Sequence, residues 1–144
     1  MSSKPVKKQR NQGILEVKDG TKTIAIFYSR KLRADEVSFL TPTDFPLQIG
    51  LLEQKTERTV PMHRHRDFKY NVNKTQELLY VEKGKVDVAV ANNKWKVLEK
   101  KTLTAGDFVL FTGASHSVKL YAGSRVLEVK QGPYPGKKKS KIYK

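Results

Sequence analysis

No cysteine occurs in the 144 residues, so disulfides, zinc ribbons and thiol nucleophiles are excluded, and any metal would be held by nitrogen and oxygen alone. No apolar run approaches the roughly eighteen residues of a membrane span. The basic opening, MSSKPVKKQRNQG, is followed by no apolar signal segment. A soluble, cytoplasmic protein with no membrane partner is the expectation. Helical periodicity is also scarce, with one plausible helical turn, around RADEVSF at 33–39.

Acidic residues are few beside basic ones: 14 Asp and Glu against 29 Lys and Arg, a formal net charge of +15. The excess is concentrated at the ends. Nine basic residues lie outside 13–136 (Lys4, Lys7, Lys8, Arg10, Lys137, Lys138, Lys139, Lys141 and Lys144), leaving 20 basic and 14 acidic residues in the body, a net +6. Residues 1–12 and 137–144 therefore read as flexible basic tails flanking one domain over 13–136, a length that can bury its own core. Nucleic-acid contact is expected only non-specifically, through these tails, because no recognition helix, RNA-binding aromatic motif or zinc module is present.

What the body contains is short runs of Val, Ile, Leu and aromatics broken by Gly, Pro, Asn and Asp, the pattern of an all-β sandwich or barrel. The strand candidates are 22–29, 47–54, 77–83, 85–91, 94–100, 107–112, 116–122 and 124–131. YVEKGKVDV reads as a hairpin reversing at Gly84, and AVANNKWKV as another reversing at Asn92 and Asn93. Gly106-Asp107 reads as a turn into the next strand.

Only three histidines are present, and two of them, His63 and His65, stand one residue apart in VPMHRHRDF. On a strand such a pair shares one face and makes half of a compact metal site. His116 opens a later strand candidate after the turn FTGAS, and Glu77 opens ELLYVEKG. If strands 59–65, 77–83 and 116–122 are neighbours in one barrel, their ends bring His63, His65, Glu77 and His116 together. Imidazole and carboxylate suit Fe, Ni, Mn, Co or Zn, and the choice among these divalent ions stays open. On spacing alone, Glu77 reads equally as a strand-end acid paired with a lysine.

These residues resemble the motifs of the cupin superfamily: His63-Arg64-His65, then Glu77 separated by six residues from Gly84, then Gly106-Asp107 leading through a glycine-containing loop to His116. The resemblance implies a cupin-type double-stranded β-helix, a jelly-roll barrel, with His63, His65, Glu77 and His116 as metal ligands. The chain departs from the usual spacing in placing eleven residues between His65 and Glu77, and it has Thr112 where the second motif usually has proline. TQELLYVEKGKV, AGDFVLFTGASHSV and VLEVKQGPYPG further resemble small single-domain cupins of surface-polysaccharide and nucleotide-sugar synthesis.

That resemblance implies an isomerase or epimerase acting on a carbohydrate or nucleotide sugar, with Glu77 and Tyr80 as catalytic proton carriers. Non-haem iron dioxygenase chemistry and non-catalytic sugar binding or sensing are the alternatives. Arg58, Arg64, Arg66 and Lys69 around the histidine pair would meet a substrate phosphate or carboxylate. Tyr80, Phe108, Phe111, Leu79, Val81, Val118 and Leu120 are expected to fill the barrel. A homodimer is expected, with strand 22–29 available to form it.

Overall fold

A computed structural model describes residues 13–144, and the N-terminal tail at 1–12 lies outside them. Among the described residues the chain is nearly all antiparallel β-structure, in the order β1 (Ile14–Asp19), β2 (Lys22–Tyr28), β3 (Glu36–Phe39), β4 (Gly50–Glu53), β5 (Glu77–Lys83), β6 (Lys85–Ala91), β7 (Val97–Thr104), β8 (Phe108–Phe111), β9 (Ser115–Leu120) and β10 (Arg125–Lys130). No described helix is long and apolar enough to cross a membrane.

The described residues form two compact units, one comprising residues 13–32 with Lys74–Lys144, the other Arg33–Asn73. The smaller unit carries only the β3–β4 hairpin, in register from Glu36 opposite Glu53 to Phe39 opposite Gly50. Arg33 pairs with Glu53, and the backbone N–H of Ala34 donates to the same carboxylate at 2.8 Å. The helical turn expected at 33–39 is therefore a strand: Val37 and Phe39 alternate with polar neighbours at the period of two that suits pleated backbone. Strand 59–65 does not form either, because this polar stretch of the chain makes no ladder with any partner.

In the larger unit a five-stranded sheet, ordered β1-β2-β8-β5-β10, and a three-stranded sheet, ordered β7-β6-β9, enclose one core as a β-sandwich. Alternation does the work. Phe27, Leu79, Val81, Val109 and Phe111 face inward from the first sheet, and Val86, Val88, Val90 and Leu103 face them from the second. Burial of such side chains is the main stabilising contribution, at about 25 cal/mol per Å² of apolar surface. Strand β1, which the sequence pattern did not reveal, pairs with β2 along its length. Strand β2 is thereby enclosed between β1 and β8, so the stretch 22–29 has no free edge to offer a dimer partner.

Two turns decide how the sheets are joined. Gly84 (φ +88°) does not close a hairpin: β5 pairs with β8 and β10, whereas β6 pairs with β7 and β9. The reason is that both strands send their apolar side chains into the same core from opposite sides, which paired neighbours of one flat sheet do not. Gly84 is the corner between the sheets, held where the Lys85 N–H donates to Ser124 Oγ at 3.0 Å and Ser124 Oγ donates to the Lys85 carbonyl at 2.8 Å. The Asn92 turn does close a hairpin, β6 to β7, with Asn92 Oδ1 accepting from the N–H groups of Lys94 (3.0 Å) and Lys96 (3.1 Å).

The Gly106-Asp107 turn enters β8 as expected. Gly106 has φ +93°, and a Cβ there would lie 2.8 Å from Arg30 Cβ. Asp107 accepts from the Arg30 N–H at 2.8 Å and from the Thr104 N–H at 3.0 Å, tying the turn to the end of β2. The lysine-rich end, expected to be a plain tail, contains a single helical turn, α1 (Lys137–Ser140), whose last N–H donates to the Gly136 carbonyl at 3.1 Å.

Candidate functional site

Ladder register places a polar cluster at one end of the sandwich interior. Residues opposite one another across antiparallel strands share a face, so Glu77, opposite both Phe111 and Lys130, points inward with them. Glu128, two residues before Lys130, shares that face. From the other sheet, His116 stands opposite the buried Val90 and points toward the same interior. The end of the core thus meets solvent through Glu77, Glu128, Lys130 and His116 rather than through aliphatic side chains.

The geometry within this cluster is close. His116 Nε2 lies 3.9 Å from Glu77 Oε2, and both side chains are mostly buried, 27% and 17% exposed. The imidazole lies flat on Phe111, with ring centroids 3.8 Å apart and planes within 3°. Its Nδ1 sits 3.3 Å from the Ala114 carbonyl, which fixes the ring and leaves Nε2 directed at Glu77. Glu128 shares a hydrogen bond with Glu77 and pairs with Lys130 at 3.5 Å.

These contacts set the protonation of each group. Burial, with the Glu128 hydrogen bond and charge added, raises the Glu77 carboxyl from 4.5 to about 7, while Lys130 and Lys141 pull it partly back. The same hydrogen bond holds Glu128 below the ordinary glutamate value. Burial lowers His116, keeping its imidazole neutral, although the Ala114 carbonyl opposes the shift. Two carboxyls that share a proton beside a neutral imidazole can accept or deliver one near neutral pH.

Sequence reasoning brought Glu77 and His116 to one place, and the structure joins them. It missed Glu128 and Lys130, whose signal was available: charged residues at alternate positions of VLEVK occupy the face that core residues should hold. Tyr80, expected beside Glu77 in catalysis, lies on the opposite face of β5, because neighbouring positions alternate and Leu79 takes the inward one. Its ring meets Phe108 at 6.5 Å. Tyr80 and Leu120 are also not barrel filling, being 37% and 54% exposed.

His63 and His65 belong to the smaller unit, in an irregular exposed segment with ring centroids 5.3 Å apart. His63 Nδ1 lies 2.8 Å from the Pro61 carbonyl, the same i−2 contact that His116 Nδ1 makes with the Ala114 carbonyl. Arg58 pairs with Glu36 at 3.2 Å, and Arg64, Arg66 and Lys69 are exposed in the same segment as the histidines. At the Glu77–His116 contact the donors, one carboxylate and one imidazole whose Nδ1 is engaged, are of the kind that bind divalent transition ions. Among the described residues, no three His, Asp or Glu side chains stand close enough together to enclose one.

Compared with protein-family models, curated proteins and solved structures, the chain matches none.

Proposed function

We propose that this protein is a metal-binding, cupin-like jelly roll that moves a proton next to the carbonyl of a sugar or nucleotide sugar, as an isomerase or epimerase. The observation that carries the reading is the approach of His116 Nε2 to Glu77 Oε2 at the polar end of an otherwise aliphatic interior. A structural ion pair needs no such placement, whereas a ligand-binding site favours convergent polar groups at the mouth of an apolar chamber.

Glu77 and His116 would hold the ion. Such an ion supplies Lewis-acid polarisation of a carbonyl oxygen. The chain supplies the rest. With the ion held, Glu77 would be an ionised ligand, and Glu128 beside it would take and return the proton at the carbon next to the carbonyl. Phe111 and the Ala114 carbonyl keep His116 in one orientation. Lys130 and Lys141 place positive charge where an enolate-like oxygen or a substrate phosphate gains from it.

The experiment is deuterium incorporation from D2O into a panel of nucleotide sugars, read by NMR for the wild type and for Glu128→Gln. Exchange next to a carbonyl that is lost in the variant supports the reading. Saturable sugar binding with no exchange under any added metal replaces it with a binding module.

A further inference from the structure

The two outer faces of the sandwich differ in chemistry. On the five-stranded sheet, β5 and β10 turn outward Tyr80 opposite Leu127 and Leu78 opposite Val129, an apolar surface. On the three-stranded sheet the outward positions are the alternates of the buried Val86, Val88 and Val90, and they read as ammonium and hydroxyl groups. Lys100 stands across Ala89 from Ser117, Thr102 stands across Asp87 from Lys119, and Lys85, two residues before Asp87 on β6, shares their face.

This face is organised rather than merely basic. Asp87 accepts from Tyr121 Oη at 2.6 Å and from Thr102 Oγ1 at 2.7 Å, so both of its carboxylate oxygens are engaged. The Tyr121 ring held in this way carries Lys85 Nζ at 4.4 Å and Lys119 Nζ at 4.8 Å from its centroid. Two of the lysines are thereby positioned over a common platform by cation–π attraction, instead of sweeping through solvent. Lys119 and Lys100 line a depression of about 410 Å³ together with Ala89, Thr102 and Ser117.

We propose that the outer face of the three-stranded sheet binds single-stranded nucleic acid through its phosphates, without reading base sequence. Ammonium and hydroxyl donors are the groups that contact phosphate oxygens. The Tyr121 ring has ammonium groups over it, so it is not a stacking platform for bases, and the contact is to the backbone. A face three strands wide, about 10 Å across at ordinary strand spacing, takes one strand of polymer along the depression. The rows around Asp87 present no large apolar side chain for insertion into a bilayer, which separates this surface from a membrane-binding one. The chain's net charge of +15 adds long-range attraction toward the same ligand.

The test is fluorescence anisotropy of the full chain with a short labelled oligo-dT across a salt series, comparing Lys85→Gln/Lys100→Gln/Lys119→Gln with Lys137→Gln/Lys138→Gln/Lys139→Gln. Losing three phosphate contacts should lower the slope of log K against log salt by about 2 and weaken binding by about 100-fold near 0.1 M. The tail variant removes equal charge and should lose much less. The arginine version of the face variant should restore binding, which separates lost charge from lost folding. Equal losses in the two glutamine variants overturn the proposal, as does tighter binding to anionic phospholipid vesicles than to the oligonucleotide.

Discussion

His116 and Glu77 sit on strands of different sheets, and their side chains meet with Nε2 3.9 Å from Oε2. The contact exists because Gly84 turns the chain from one sheet into the other, so that β5 and β6 face each other across a core and β9, paired with β6, closes over the start of β5. A hairpin at Gly84 would place these strands side by side and separate the two residues.

The pH dependence of stability follows from the raised carboxyl of Glu77. A carboxyl whose folded value lies above its unfolded one contributes stability that is full below the unfolded value and lost as pH rises through the folded value. For Glu77 that window runs from 4.5 to about 7. In chelator-treated protein, the difference in thermal midpoint between wild type and Glu77→Gln should move against the wild type across this interval and level off above it. Comparing the two proteins cancels the opposite contribution of His116, whose lowered value makes the fold gain stability as pH rises toward the unfolded value of 6.5.

Gly84 is needed for more than its positive φ. A Cβ there would lie 2.5 Å from Ser124 Oγ and 2.7 Å from Ser124 Cα, whereas at Gly123, also at positive φ, nothing lies within 4 Å. Urea unfolding should show Gly84→Ala losing about 3 kcal/mol and Gly123→Ala about 1 kcal/mol, the second reporting backbone strain alone.

Asp107 holds its turn by three donors: the Arg30 N–H at 2.8 Å, the Thr104 N–H at 3.0 Å and Thr104 Oγ1 at 3.4 Å. Replacing it with alanine leaves backbone donors without their acceptor and should cost about 2 kcal/mol. Asparagine, which keeps one acceptor oxygen, should recover part of that loss in the same denaturation assay.

Placement of Tyr80 on the outer face of β5 makes a separate claim. Tyr80→Phe should leave nucleotide-sugar affinity and any exchange activity unchanged, while Glu128→Gln should abolish exchange without loss of the folded circular-dichroism signal. Loss of activity in Tyr80→Phe would assign the outward face a role that its position beside Phe108 does not support.

Much of this architecture was legible in the residues. Period-two alternation located β5, β6, β8 and β9 and put Glu77 and His116 at strand starts. What alternation does not encode is pairing. Gly84 permits a tight reversal whether the next strand joins the same sheet or the opposite one, and only the shared core decides between them. Strand β1 escaped because only Val17 of its side chains is buried, so its pattern is weak. The strand at 36–39 escaped because an Asp-Glu start followed by mixed polar and apolar residues also suits a helical turn. At the site, the sequence placed Glu77 and His116 near strand starts, and the structure brings them into contact. Glu128 and Lys130 share one face of VLEVK, as the local alternation shows, but that this face meets Glu77 depends on the register of β10 against β5.

The central claim is that the Glu77–His116 end of the sandwich holds a transition ion, and its most direct test is anomalous X-ray scattering from crystals of protein purified without chelators. The account predicts one anomalous peak per chain, at bonding distance from His116 Nε2 and a Glu77 oxygen, absent in His116→Ala. A chain free of transition metal, or a peak bonded to neither residue, would contradict it.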